Sequence, residues 1–367
     1  MNSLPNSSEV DASKLAGIFD TITNSYKFLW LKAIFSALQE SNFESSAFSF
    51  EELVKKMMLF AWYPSHFYKL SFGYWDRLPK YLGASELDLG GSVDSIKVKK
   101  EIERMVADDA IEHLSRYVPY RSLTVWFKNE LFQIEDGKKN KLTVKLANEL
   151  FDKAKPLYRI VDKNIEIHPD WISYVRKNLA ILNAWIDWNW AGYLQSKNSS
   201  VPNIANKINI DSSRKALTPL TKNWGALIES NTVRCIYSGE VLESGEFTLD
   251  HFVPWAYVAH NEPWNIVPVI KRPNVNSIKS NNLPSEKYVS RFIASQLQLI
   301  QFNNKYYSDK KWGNFKAPYV EALKLQEDDM LDENKLAPKL SSLILSQVEG
   351  AKRLGFVADW IYQSREE

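Results

Sequence analysis

From Leu15 the apolar positions Leu15, Ile18, Phe19, Ile22, Tyr26, Leu29, Trp30 and Ile34 recur at steps of three and four, the spacing that lines side chains along one face of an α-helix. The pattern predicts one long amphipathic helix serving as buried scaffold. Ser49 with Glu52 three residues on is a capping-box pair, so a second helix is predicted to open there and run to Trp62, where Pro64 stops it. A third is predicted over 96–117. Beyond Pro169 the dense apolar spacing of 171–195, with no breaker except Gly192 near its end, predicts a long buried helix.

Residues 83–95, with Gly90-Gly91 inside them, read as a loop, and Asp136-Gly137 followed by Lys138, Lys139 and Asn140 as a turn. The mixed polar stretch 203–221 reads as a connection, which puts a boundary near Lys222. From Arg234 the apolar period changes to two. Short strands are predicted over 234–237 and 247–252, with Gly239 and Gly245 marking the loop between them. A third extended piece is predicted over 265–270, with Pro273 placed to open a helix. After Phe302, apolar residues including Leu340, Leu343 and Val348 predict helices packed back on the body. The fold class is therefore mainly α with a small α+β module, divided into a helical N-terminal domain (1–221), the strand-containing module (222–300) and a helical C-terminal extension (301–367).

Composition narrows this picture only a little. A net charge of +2 over 367 residues points to no partner, so any nucleic-acid contact has to be local. The single cysteine, Cys235, excludes a disulfide framework and a cysteine-rich zinc knuckle, and suits a reducing cytoplasm. The first residues lack the basic and apolar regions of an export signal, and Lys27 and Lys32 interrupt the most apolar early stretch, so neither export nor a membrane span is expected. Of the thirteen tryptophans, Trp171, Trp185, Trp188 and Trp190 cluster at helical spacing and are expected in the core rather than as stacking platforms for bases.

The candidate chemistry lies in the period-two segment. Asp250-His251 stands at the end of a predicted strand, Asn265 lies fourteen residues later and Asn276 eleven beyond that. These residue types suit phosphodiester hydrolysis. A hard cation takes oxygen ligands, which Asp250 and Asn276 offer. Histidine is the side chain whose ordinary pKa best matches removal of a proton from water near neutrality, so His251 is the candidate general base. Asn265 is assigned an orienting role, either as acceptor for the other ring nitrogen or as a clamp on the loop carrying His251. Neighbours on a strand face opposite sides, so the strand should end or bulge at Asp250-His251. Lys279, Lys271 and Arg272 supply a local positive excess suited to phosphate, although Lys271 and Arg272 read equally well as solvent-facing charges.

These residues resemble the HNH (ββα-metal) endonuclease family, in particular the branch that includes the HNH domain of RNA-guided CRISPR nucleases. The resemblance rests on Asp250, His251 and Pro254, on Asn265-Ile266-Val267, on Asn276, Lys279, Ser280, Asn282, Pro284 and Ser285, and on the opening Cys235 to Gly239. It implies a ββα-metal fold, one Mg²⁺ or Mn²⁺ ion held by Asp250 and Asn276, His251 as base and Asn265 as the residue that positions it. Cys235 has no second cysteine for the structural zinc of many members, so none is expected. The stretches 23–28 and 118–121 resemble standalone bacterial HNH proteins of defence and mobile-element settings. The resemblance thus implies DNA cleavage in antiphage defence. The alternatives are a nuclease subunit or binding module gated by a protein partner through the N-terminal domain, and a mobile-element homing endonuclease.

His260 is expected to be a loop histidine and Glu262 a solvated loop carboxylate. Arg121 suits either a structural ion pair or a DNA contact. The nuclease assignment requires Asp250 and Asn276 to reach a common ion and His251 to reach solvent.

Overall fold

The computed structural model describes residues 4–85, 87, 94–208, 216–271 and 275–363. The chain divides into two compact units, one formed essentially by residues before Ser200 together with 204–210, the other by 200–203 and the chain from Asp211 onward. Both are built mainly of helices, and each holds one small antiparallel sheet. Among the described residues, no helix is long and apolar enough to cross a membrane.

In the N-terminal unit the strands β1 (Ala47–Ser49), β2 (Tyr158–Val161) and β3 (Asn164–Ile167) pair in the order β1-β3-β2, a sheet that the helical periodicity did not predict. The helices Tyr26–Glu40, Phe50–Trp62 and Pro169–Lys197 form the main layer. Trp30 Nε1 donates to Tyr158 Oη at 2.9 Å, and that hydroxyl donates to the Pro119 carbonyl at 2.6 Å, so the layer and the sheet share one buried polar chain. The capping box forms at its first half: Ser49 Oγ accepts from the Glu52 amide at 3.1 Å.

The single helix predicted from Leu15 is instead a short helix Ala12–Ala16, a 3₁₀ turn Gly17–Asp20 and the helix Tyr26–Glu40. The break is held by tertiary partners. The buried Asp76 carboxylate accepts from the Ser25 amide at 2.8 Å and from its hydroxyl at 2.6 Å, while the Lys27 ammonium donates to the carbonyls of Ile18 and Thr21. The helix predicted over 96–117 likewise divides, into Ser95–Met105 and Asp108–Ser115, because β-branched Val106 turns extended between them. Asp136-Gly137 opens the helix Asp136–Glu149 rather than making a turn; Asp136 sits in its first turn, where a negative charge is favourable, and is gripped by Arg121. Past Trp62 the chain does not stop at Pro64 but runs through one π-turn, Tyr63–Phe67. Gly90-Gly91, in the predicted loop 83–95, lie outside the described residues.

Trp171 and Trp190 are buried as expected, Trp185 is half-buried, and Trp188 is 78% exposed. The helix Pro169–Lys197 buries the stripe Trp171, Val175, Leu182, Ile186, Trp190 and Leu194, and Trp188, two residues before Trp190, falls away from that stripe.

In the C-terminal unit the helices Thr218–Ser230, Val289–Tyr306, Asp309–Leu323 and Glu333–Arg353 accompany the two-stranded sheet of β4 (Phe247–His251) and β5 (Ile266–Ile270). Every residue of β5 is buried, which suits its unbroken apolar run Ile266-Val267-Pro268-Val269-Ile270. Gln296 ties the helix Val289–Tyr306 to β5: its Nε2 donates to the Ile266 carbonyl at 2.8 Å, and its Oε1 accepts from Tyr319 at 2.7 Å. The strand predicted over 234–237 is only an isolated bridge, Arg234 with Val241, closed through Gly239 at φ +81°. Mutual bonds between Cys235 and the Gly239–Glu240 backbone make this a tight turn, too short to extend a sheet.

Candidate active site

β4 ends at His251, where its residue pairing with β5 ends, Asp250 opposite Val267 and His251 opposite Ile266. The short helix Trp255–Val258 and a 3₁₀ turn Pro263–Asn265 separate the two strands, and β5 is followed by the short helix Val275–Lys279. Lys279, the last residue of that helix, reaches back to the end of β4. Its ammonium lies 3.2 Å from Asp250 Oδ2, 3.4 Å from Oδ1 and 2.8 Å from the His251 carbonyl oxygen. Tyr237, delivered by the tight turn, donates its hydroxyl to Asp250 Oδ2 at 2.8 Å. Burial, reinforced by the Asp250 charge, holds the Tyr237 phenol well above its ordinary pKa, so it remains a donor. Rings of Tyr288 and Trp360 stand edge-on to Tyr237, each with centroids 5.1 Å away, and fix its position.

Asn265 acts on the backbone beyond the strand. Its Oδ1 accepts from the Val253 amide and its Nδ2 donates to the Val253 carbonyl, both at 2.9 Å, while its own carbonyl accepts from the Phe252 amide at 2.8 Å. Of the two orienting roles open to it in the sequence, the geometry is that of a loop clamp. The ring of His251 is met by a different asparagine, Asn261, whose Oδ1 stands 3.0 Å from Nε2. An amide oxygen only accepts, so in this contact Nε2 is the donor. Nothing in the motif spacing singled out Asn261; the available signal was an acceptor ten residues after a histidine in the loop leading to β5.

Asp250 is 2% exposed and His251 4%. The solvent reach that a general base needs is therefore not present in this arrangement, with Asn261 against the ring. Lys279, expected to meet phosphate, is instead fully buried as the counter-charge of Asp250, a correction that follows from the helix folding its last turn back over the strand end. Lys271 is exposed, its ammonium 3.4 Å from the Gly245 carbonyl. Arg272 and the side chain of Asn276 lie outside the described residues. Glu262 is half-buried rather than solvated, and burial, aided by Glu321, raises its carboxyl pKa. His260 Nδ1 accepts from the Glu262 amide and its ring packs on Trp264, as befits a loop histidine.

Among the described residues, no group of three or more His, Cys, Asp and Glu side chains stands ready to hold a metal. A hard divalent ion does not need one, since Mg²⁺ keeps much of its water and is held by one or two carboxylates together with substrate phosphate. The Asp250 carboxylate offers oxygen of the kind such an ion takes, its charge met here by the Lys279 ammonium at 3.2 Å.

Residues 235–285 match the family model of the HNH endonuclease. The match begins at Cys235 in the tight turn, takes in both strands and the helix bearing Lys279, and ends just past Pro284. The match supports a nuclease domain in this segment, and HNH nucleases in general use a divalent metal ion. No curated protein and no solved structure matches the chain.

Proposed function

We propose that the protein is a metal-dependent DNA endonuclease that hydrolyses phosphodiester bonds at the Asp250–His251 strand end. The observation that carries this is the His251 ring, its Nε2 met by Asn261, next to the buried Asp250 carboxylate within the segment that matches the HNH endonuclease model. Asp250, with Asn276 from the following helix, would hold one Mg²⁺ or Mn²⁺ ion, which supplies neutralisation of charge on the phosphate. His251, once DNA binding opens the strand end to water, takes the proton of the attacking water. Asn265 keeps the backbone after His251 in place, and Lys271 with Arg272 meets the DNA phosphates. The antiphage-defence setting and the kinship to the CRISPR-nuclease branch rest on the resemblance of the motif residues.

The test is cleavage of plasmid DNA with Mg²⁺ by the full chain and by His251→Ala. Loss of a general base costs about 10²–10⁴-fold in rate, with the circular dichroism spectrum unchanged. A variant that cuts at the wild-type rate sinks the proposal.

The burial of His251 favours a second reading, a nuclease held closed until a partner opens the strand end to solvent, Asn261 keeping its contact with the ring. Wild-type protein that cuts only after a partner is added selects this gated form, and cutting by the protein alone selects the first.

A further inference from the structure

Two stretches that the nuclease segment leaves without a role, 23–28 and Val118–Arg121, meet in the N-terminal unit around a cavity of about 630 Å³. That volume lies within the roughly 300–1,000 Å³ of small-molecule sites. Four cations line it, Lys27, Arg121, Lys128 and Lys139, against two carboxylates, Asp20 and Asp136, leaving an excess of two positive charges.

Two of the cations, Arg121 and Lys27, are held in place before any ligand arrives. Arg121 forks onto Asp136 through NH1 at 2.9 Å and NH2 at 3.0 Å, a geometry that suits phosphate oxygens as well as a carboxylate. Lys128 stands 3.6 Å from Asp20 and Lys139 3.7 Å from Asp136, pairs loose and exposed enough to exchange for another anion. The Lys27 ammonium, drawn inward, spends two donors on the Ile18 and Thr21 carbonyls at 2.9 Å and keeps a third. On the cavity wall the Tyr117 ring, 48% exposed, has the Arg116 guanidinium 5.2 Å and that of Arg121 5.9 Å from its centroid. Apolar Val118, Val125 and Leu131 belong to the lining too, as do His113 and Tyr26.

We propose that this cavity binds a nucleotide, its phosphate taken by Arg121, Lys128 and Lys139 and its base laid against Tyr117. Cations alone would suit any anion. An exposed aromatic face beside them adds the stacking surface that a base uses and that inorganic phosphate does not.

Isothermal calorimetry on the full chain, without DNA or metal, tests this apart from any nuclease activity, using AMP, ATP, a 5′-phosphorylated dinucleotide, adenosine and inorganic phosphate. The expected result is binding of a nucleotide at least 10-fold tighter than of adenosine or phosphate. The double variant Lys128→Ala/Lys139→Ala and the single variant Tyr117→Ala should each weaken it at least 10-fold with the melting temperature unchanged. Preference for the dinucleotide assigns the site to a phosphorylated strand end, and preference for AMP or ATP to a free nucleotide; either supports the proposal. No nucleotide binding at millimolar concentration, or binding equal in wild type and both variants, overturns it.

Discussion

The Lys279 ammonium bridges Asp250 Oδ2 at 3.2 Å and the His251 carbonyl at 2.8 Å, so a single buried cation ties down both residues at the end of β4. Removing one partner of a buried pair strands the other charge. Lys279→Met is expected to cost about 3–5 kcal/mol, read as a fall in the urea midpoint. A variant within 1 kcal/mol of wild type, by the roughly 0–1 kcal/mol standard of a surface pair, would show that the pair contributes little.

Asn265 is wholly buried and satisfies both polar groups of Val253. Asn265→Ala leaves a buried amide and a buried carbonyl without partners, an expected loss of about 2–4 kcal/mol. Asn265→Asp keeps an acceptor for the amide but faces the carbonyl with a second oxygen, and should be no better. Thermal unfolding of the two variants checks this, and an aspartate variant as stable as wild type counts against the clamp.

Asn261 meets the ring of His251 through its amide oxygen. Asn261→Ala should lower the cleavage rate about 10–100-fold by releasing the imidazole, while Asn261→Asp, which retains an acceptor, recovers most of it. Equal rates in the alanine and aspartate variants would remove Asn261 from the positioning role.

Asp76 carries a pH dependence. Burial outweighs its bonds from Ser25 and Leu78 and pushes its carboxyl up to about 6, against about 3.9 in an unfolded chain. Between these values the folded protein holds a proton that the unfolded chain has released. Its contribution is therefore fully present below about pH 4 and lost as pH rises to about 6. The stability of wild type minus that of Asp76→Asn should fall by about 3 kcal/mol across that window, as measured by urea unfolding at each pH. A difference that is flat or rises with pH contradicts the assignment.

Local pattern made much of this protein readable from its residues. The two strands of the HNH endonuclease segment, the Ser49 cap, the long helix after Pro169 and the end of the strand at Asp250-His251 all follow from period, capping chemistry and alternation, which act over a few residues. What local pattern did not contain were the partners brought from far along the chain. Asp76 breaks a helix fifty-one positions before it, Lys279 turns inward to a carboxylate twenty-nine positions away, and the ring of His251 is met by Asn261 while Asn265 holds the backbone. Sequence alone determined the helices opened by Ser49 and Pro169, the strands β4 and β5, and which residue types can do the chemistry, because propensity and periodicity are short-range. Only the tertiary structure decided which charges are buried together and which asparagine holds the base, because desolvation and hydrogen-bond geometry depend on neighbours that folding supplies.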